Sequence, residues 1–264
     1  MTTMTRPVAV LAAHRRLLSA RAARTPCAPV RDLLDDAGSA YAVQAAWVAE
    51  RLDAGATVTG RKIGLTNPVV QAQLGVDSPD FGVLLDEMAV AAGGVADTAR
   101  LLQPRIEGEV AFILGADLNL ARPTDADVVA ATDSVAAALE IVDSRIAGWD
   151  ITLVDTVADN GSAAMYVLGP ARRPPDLDLA SCAMTMRRNG TVVSAGRGSD
   201  CLGSPVRAVA WLAAAACALG TPLRAGDVVL SGALGPMVDV HAGDQFEAEV
   251  SGLGTVSVTF GDAA

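Results

Sequence analysis

The chain has 264 residues, 51% of them hydrophobic and 19% charged, with a formal net charge of −10. That composition supports a large packed core, and the acidic balance argues against nucleic acid and anionic membranes as partners, because both select basic patches. With only two histidines (His14, His241) and four cysteines in no Cys-x-x-Cys pair, histidine zinc sites, Ser-His-Asp triads and zinc ribbons are nearly excluded by supply. Any metal must rest on oxygen ligands, which favour Mg²⁺ or Mn²⁺.

No uninterrupted apolar segment follows the N-terminal arginines, and no uncharged apolar run has membrane-spanning length. The cysteines read as free thiols, the cytoplasmic default, so a soluble cytoplasmic protein is expected. Among the twenty basic residues, Lys62 is the single lysine. In so arginine-biased a chain, a lone lysine points to a site that needs a compact, titratable ammonium. A chance surface lysine is the plain alternative.

Pro7 opens a first helix, with Val8, Leu11, Ala12, Leu17 and Leu18 at roughly helical spacing. Thr25-Pro26-Cys27-Ala28-Pro29 breaks it. Ser39 is the expected cap of a second helix carrying Val43, Ala46, Trp47 and Leu52. His14, among arginines, reads as solvated. Residues 1–56 form a helical lead-in packed on a β-rich body, 57–264, as one structural unit.

From Thr57 the period becomes two. Val58, Gly60, Lys62 and Gly64 share a strand face, so Lys62 lies between glycines that leave room for a bound small molecule. An exposed lysine on a bulged edge strand is the alternative. Residues 74–82 form a loop. Asp77 is a turn residue, and Asp80, where the loop meets Phe81-Gly82-Val83, is a candidate site carboxylate.

Gln103-Pro104-Arg105-Ile106-Glu107-Gly108-Glu109-Val110-Ala111-Phe112-Ile113-Leu114-Gly115 reads as a strand with a proline entry and a glycine exit. Glu107 and Glu109 fall on one face of it, continued by apolar Ala111 and Ile113. Paired glutamates at this spacing usually form a solvated face. Here both faces look buried, and a metal between the carboxylates would relieve their repulsion. A helix is expected over 125–137, then a short strand over 138–142. Glu140 is the one charge in that strand, a third carboxylate in a core position, and it needs a cation, a proton or donors. Asp143-Ser144-Arg145 can orient it or form a local ion pair.

Asp159-Asn160-Gly161-Ser162 reads as a tight turn. Ser162 opens the strand 163–168, as a substrate contact or as a cap. Asn189-Gly190 marks a hairpin, Pro205 opens a helix over 206–219 that Gly220 ends, and 228–230 runs into the glycine-rich loop Ser231-Gly232-Ala233-Leu234-Gly235. That loop can turn backbone N–H groups toward an anion but lacks the lysine and threonine of a phosphate loop. Strands at 245–250 and 255–260 close the sheet.

Several of these stretches, in order, resemble the 2-keto-4-pentenoate hydratases of the fumarylacetoacetase superfamily. They are Gly60-Arg61-Lys62-Ile63-Gly64-Leu65-Thr66, the segment 73–82, Gln103 to Glu109, Val154-Asp155-Thr156-Val157-Ala158-Asp159-Asn160, and Ser231-Gly232-Ala233-Leu234-Gly235-Pro236-Met237-Val238. The resemblance runs from about residue 29 to 260. It implies an α+β fold, a mixed β-sandwich roll with a helical N-terminal region. It implies Mg²⁺ or Mn²⁺ on Glu107, Glu109 and Glu140, and active-site roles for Lys62, Asp80 and Ser162. It implies a homo-oligomer, with a pathway decarboxylase or aldolase as a further partner.

The implied reaction is metal-dependent hydration of 2-hydroxypenta-2,4-dienoate to 4-hydroxy-2-oxopentanoate in aromatic meta-cleavage catabolism. Lys62 would stabilise enolate charge or move protons, Asp80 would orient or deprotonate the water, and Ser162 would hold the substrate. The rivals are 4-oxalocrotonate decarboxylation and a non-catalytic partner of a pathway decarboxylase. Gly108 and Gly161 stand where the family often has alanine, and Ser204 where histidine is common. These departures bear on substrate preference more than on catalysis.

Overall fold

The computed structural model describes residues 6–67, 71, 76, 78–173 and 178–262. Its spine is an antiparallel pair, β5 (Pro104–Leu114) and β6 (Thr132–Asp143), in register from Pro104↔Asp143 to Leu114↔Thr132 with one shift at the far end. Val110, Phe112, Leu139 and Ile141 are buried on one face of it and Ala111 and Ala138 on the other, so the near-continuous apolar sequence is covered on both faces. β6 is longer than the sequence pattern predicts. The helix after Thr124, α3 (Asp125–Ala131), stops early, and the alanines expected in its last turns lie in the strand. Alanine favours helix by only a fraction of a kcal/mol per residue, and ladder pairing along all of β5 overrides it.

An eight-stranded sheet builds outward from this pair. Its order is β2 (Asp80–Leu85), β1 (Val58–Gly64), β10 (Val228–Leu230), β5, β6, β7 (Ala163–Leu168) and β3 (Ala89–Val90), with β11 (Val238–Asp239) pairing β5. The second sheet has five strands: β4 (Val95–Asp97), β13 (Gly254–Gly261), β12 (Gln245–Val250), β8 (Ala183–Arg188) and β9 (Thr191–Arg197). Phe112 and Val135 of the first sheet share one core with Phe246 and Phe260 of the second. This is the expected α+β sandwich roll. The Asn189-Gly190 hairpin joins β8 to β9 with both turn residues at positive φ (51° and 81°), as a two-residue turn of this hand requires.

α1 (Arg6–Ala23) and α2 (Ala37–Asp53) share a smaller core with α4 (Leu153–Ala158), built on Ala13, Leu17, Val43, Ile146 and Val157. Gln44 of α2 is buried and donates to the carbonyls of Phe81 and Val157. Two expectations change here. The α2 cap is Asp36, whose Oδ1 accepts from the Ser39 amide, and Ser39 is buried in the first turn. His14 is not solvated either: its side chain is 12% exposed, and Nε2 lies 3.1 Å from Glu50 Oε2 because α2 runs beside α1.

α5 (Pro205–Ala218) is capped by Ser204 and followed by Gly220 at φ 74°. Among the described residues the helical stretch 198–218 alone is long and apolar enough to cross a membrane. In this fold its Ala208, Val209, Leu212 and Ala213 are buried in the main core. The turn reading of Asp77 lies outside the described residues.

Candidate active site

The β5–β6 register sets Glu107 directly opposite Glu140. Like charges so placed repel across a ladder, and Glu109, two residues on, joins the same face. One oxygen from each of the three carboxylates lies within 4.8 Å of the others. Glu109 and Glu140 are fully buried, while Glu107 is partly open to a cavity. Glu109 Oε2 accepts from the Gly232 amide at 2.8 Å, so the glycine-rich loop does turn an N–H toward an anion, and that anion is a side chain of the protein. Glu109 Oε1 and both Glu140 oxygens accept no aligned hydrogen bond among the described residues.

Buried carboxylates in this state need a positive partner. The three oxygens form a hard, all-oxygen donor set that fits Mg²⁺ or Mn²⁺, and the histidine-poor sequence offers no competing softer set.

Lys62 closes the cluster. Its side chain is 4% exposed, and Nζ lies 3.1 Å from Glu140 Oε1 and donates to the Gly161 carbonyl at 3.0 Å. The exposed-lysine alternative is therefore wrong. Asp143 and Arg145 do not orient Glu140. Asp143 accepts from the Leu102 and Gln103 amides, and Arg145 is bound to Asp159. Arg145 thereby anchors the turn that carries Gly161 and Ser162, whose residues Asn160, Gly161 and Ser162 all have φ between 56° and 61°. Left-handed Ser162 is a strained conformation of a kind that persists where its surroundings over-determine it. Asn160 supplies part of that support, its side-chain amide bonding the Val83 N–H and C=O as an added strand edge would.

Asp80 begins β2 and pairs in register with Gly64. A Cβ on Gly64 would stand 2.0 Å from Asp80 Oδ1, so that glycine makes room for the carboxylate. Both Asp80 oxygens and Ser162 Oγ are buried without a hydrogen-bond partner among the described residues. Lys62, Asp80, Ser162 and Glu107 line one cavity of about 520 Å³. The structure thus brings together all six residues singled out from the sequence. It adds Trp149, Ile151 and Met237 on the cavity wall, which periodicity could not find because they sit in irregular segments.

Burial would lower the Lys62 ammonium, but Glu140, then Asp80, Glu107 and Glu109, outweigh it and hold the pKa above its ordinary value. Burial pushes Asp80 up, with Lys62 pulling the other way. Burial and then the Glu140 charge raise Glu107 to about 7, and the same causes, with Glu107 added, raise Glu109 well above the carboxylate range. Glu140 is raised by burial and restrained by Lys62.

Residues 64–260 match the fumarylacetoacetate (FAA) hydrolase C-terminal family. 2-Keto-4-pentenoate hydratase 2 of Dechloromonas aromatica (strain RCB) is 52% identical over 256 residues, 94% of this chain and 96% of its own. The 2-hydroxyhexa-2,4-dienoate hydratase of Comamonas testosteroni is 46% identical over 224 residues, 84% of this chain and 85% of its own. Among solved structures, 4-oxalocrotonate decarboxylase from Pseudomonas putida G7, complexed with magnesium and adipate, superposes with a TM-score of 0.92 at 31% identity, covering 98% of this chain and 100% of that one.

Proposed function

Because the chain belongs to the fumarylacetoacetate hydrolase family and stands among its 2-keto-4-pentenoate hydratases, we propose that it is a hydro-lyase that converts 2-hydroxypenta-2,4-dienoate and water into 4-hydroxy-2-oxopentanoate, in the catabolism of cleaved aromatic rings. The observation that carries the reading is the register pair Glu107–Glu140, joined by buried Glu109 and faced by Lys62.

Glu107, Glu109 and Glu140 would hold a divalent cation. When bound, it supplies Lewis-acid stabilisation of negative charge on the substrate's C2 oxygen. The remaining work falls to the protein's own groups. Ketonisation of the dienol moves a proton to C5. Water then adds at C4, and a proton is delivered to C3. Lys62, fixed by Gly161 and Glu140, supports the developing enolate charge. Asp80, raised by burial, orients the water and exchanges a proton with it. Ser162 offers a buried, unpartnered hydroxyl to the substrate.

On this reading residues 1–56 and 57–264 act as one unit, supported by the bonds of Gln44 into the body. The enzyme is a homo-oligomer, and exposed Val8 and Leu11 on α1 are apolar surface that such an assembly would cover. A pathway decarboxylase or aldolase is a further partner. Four free thiols suit the cytoplasm.

The test is a steady-state assay with the synthetic dienoate, first in EDTA and then with Mg²⁺ or Mn²⁺ restored. The expected result is cation-dependent loss of the dienoate and formation of 4-hydroxy-2-oxopentanoate. Release of CO₂ from 4-oxalocrotonate without hydration of the dienoate would replace this reading with a decarboxylase.

A further inference from the structure

Two unlike groups of side chains line the cavity: polar Glu107, Lys62, Asp80 and Ser162, and apolar Leu65, Trp149, Ile151, Pro236 and Met237. β5 relates Trp149 to the glutamates. Arg105 is two residues from Glu107, about 7 Å, and Gln103 is four, about 13 Å of extended chain. Trp149 is tied to that outer stretch. Its Nε1 donates to the Gln103 carbonyl at 3.0 Å, and the Arg105 guanidinium lies 4.6 Å from its ring centroid.

The indole is held unusually firmly. Gly148 and Trp149 are both left-handed, at φ 67° and 57°, which for a bulky residue is a marked outlier. Gln103 fixes the kink: its Oε1 accepts from the Gly148 amide, and its Nε2 donates to the carbonyls of Ser144 and Ile146. Arg105 on the ring is itself paired with Asp239 and hydrogen-bonded to Met237 Sδ. A ring locked by its neighbours in this way is a rigid wall. A substrate anchored by its carboxylate end among the polar groups would extend its carbon tail toward that wall, and the cavity volume is in the range that holds far larger ligands than a five-carbon acid.

We infer that Trp149 is a specificity-determining residue. Its indole is the surface against which the substrate beyond C5 lies, and it sets which C5 substituents are accepted. Gln103 is a positioning residue that acts through it. This inference rests on the hydratase reading above.

The experiment compares kcat/KM for 2-hydroxypenta-2,4-dienoate, 2-hydroxyhexa-2,4-dienoate and 2-hydroxy-5-phenylpenta-2,4-dienoate in wild type, W149F, W149A and Q103A. The readout is the ratio of each longer substrate to the parent. In W149A the phenyl-to-parent ratio is expected to rise by about tenfold or more, the scale at which apolar pockets discriminate. W149F should give a smaller rise in the same direction. Q103A should move the ratio the same way, with no further change in the double variant with W149A. Should W149A fail to fold, W149F and Q103A still decide the matter. An unchanged ratio in every variant that keeps its Tm overturns the inference.

If wild type hydrates none of the three, the hydratase reading fails by itself. The role of Trp149 is then read from binding of the saturated 2-oxo acids, 2-oxopentanoate to 2-oxooctanoate, to the Mg²⁺-loaded protein. A changed dependence of affinity on tail length in the Trp149 variants supports the inference, and an unchanged one overturns it.

Discussion

Lys62 of β1 and Glu140 of β6 meet as a buried ion pair, Nζ to Oε1 3.1 Å, although β10 and β5 lie between their strands. In a flat sheet three strand spacings would separate them by about 14 Å. The sheet must therefore curl around the site, and β10, which lies between β1 and β5, ends at Leu230, level with Lys62.

Replacing Lys62 with methionine should abolish hydration by at least about a hundredfold, the usual scale for losing a positioned proton-transfer or charge-stabilising group. It also leaves Glu140 without its ion-pair partner, and breaking a buried pair costs roughly 3–5 kcal/mol. The thermal midpoint of metal-free K62M should fall below that of wild type, and more at pH 8 than at pH 5.5, where the carboxylates can protonate instead. An equal fall at both pH values would contradict the electrostatic account.

The metal-free protein should lose stability as pH rises. The folded pKa of Glu107 is about 7 against an ordinary 4.5. The folded state therefore holds the proton more tightly than the unfolded state, and stability is full below about 4.5 and lost as pH climbs through 7. Glu109 acts in the same direction. A divalent cation reverses this because its ligands must be ionised. Thermal melts in EDTA and in Mn²⁺ should show a larger gain from Mn²⁺ at pH 8 than at pH 5.5. The same gain at both would sink the assignment of the glutamates as ligands.

Gly64→Ala should cripple the site without unfolding the protein. The new methyl would stand 2.0 Å from Asp80 Oδ1, so the carboxylate must swing away from its place. Circular dichroism should stay native while kcat falls at least about tenfold, a modest fraction of a full proton-transfer contribution. Unaltered kcat would remove Asp80 from the reaction.

Gly108→Ala offers the contrast. Its methyl would meet Met184 Sδ at 2.9 Å, and a thioether is a flexible neighbour that can repack. The expected loss is under about 1.5 kcal/mol, with activity retained, as chemical denaturation and the dienoate assay would show. A severe loss would mean that Gly108 is needed for more than space.

Legibility in the sequence followed the physics of each element. Period-two alternation put Glu107 and Glu109 on one strand face because strand geometry alone fixes it. The lone lysine among twenty basic residues was visible by counting. The sequence pattern extends α3 too far because alanine's helical preference is weak beside a full ladder of strand bonds. Ser39 is not the cap of α2 because Asp36 offers an equally good acceptor three residues earlier. The role of Arg145 stays open in the sequence because adjacency does not reveal which way a side chain leaves the strand end; its partner is Asp159, fourteen residues on.

By itself the sequence determined the parts: an oxygen-only ligand set, one ammonium, two carboxylates on a common face and a third alone in an apolar strand. Their residue types and local periods follow from covalent geometry and composition. Only the tertiary structure decided that Glu140 faces Glu107, that Lys62 spans the curled sheet to reach it, and that Trp149 lines the same cavity as Lys62. Those relations depend on strand register and sheet curvature, which arise from many long-range contacts that no local stretch of sequence contains.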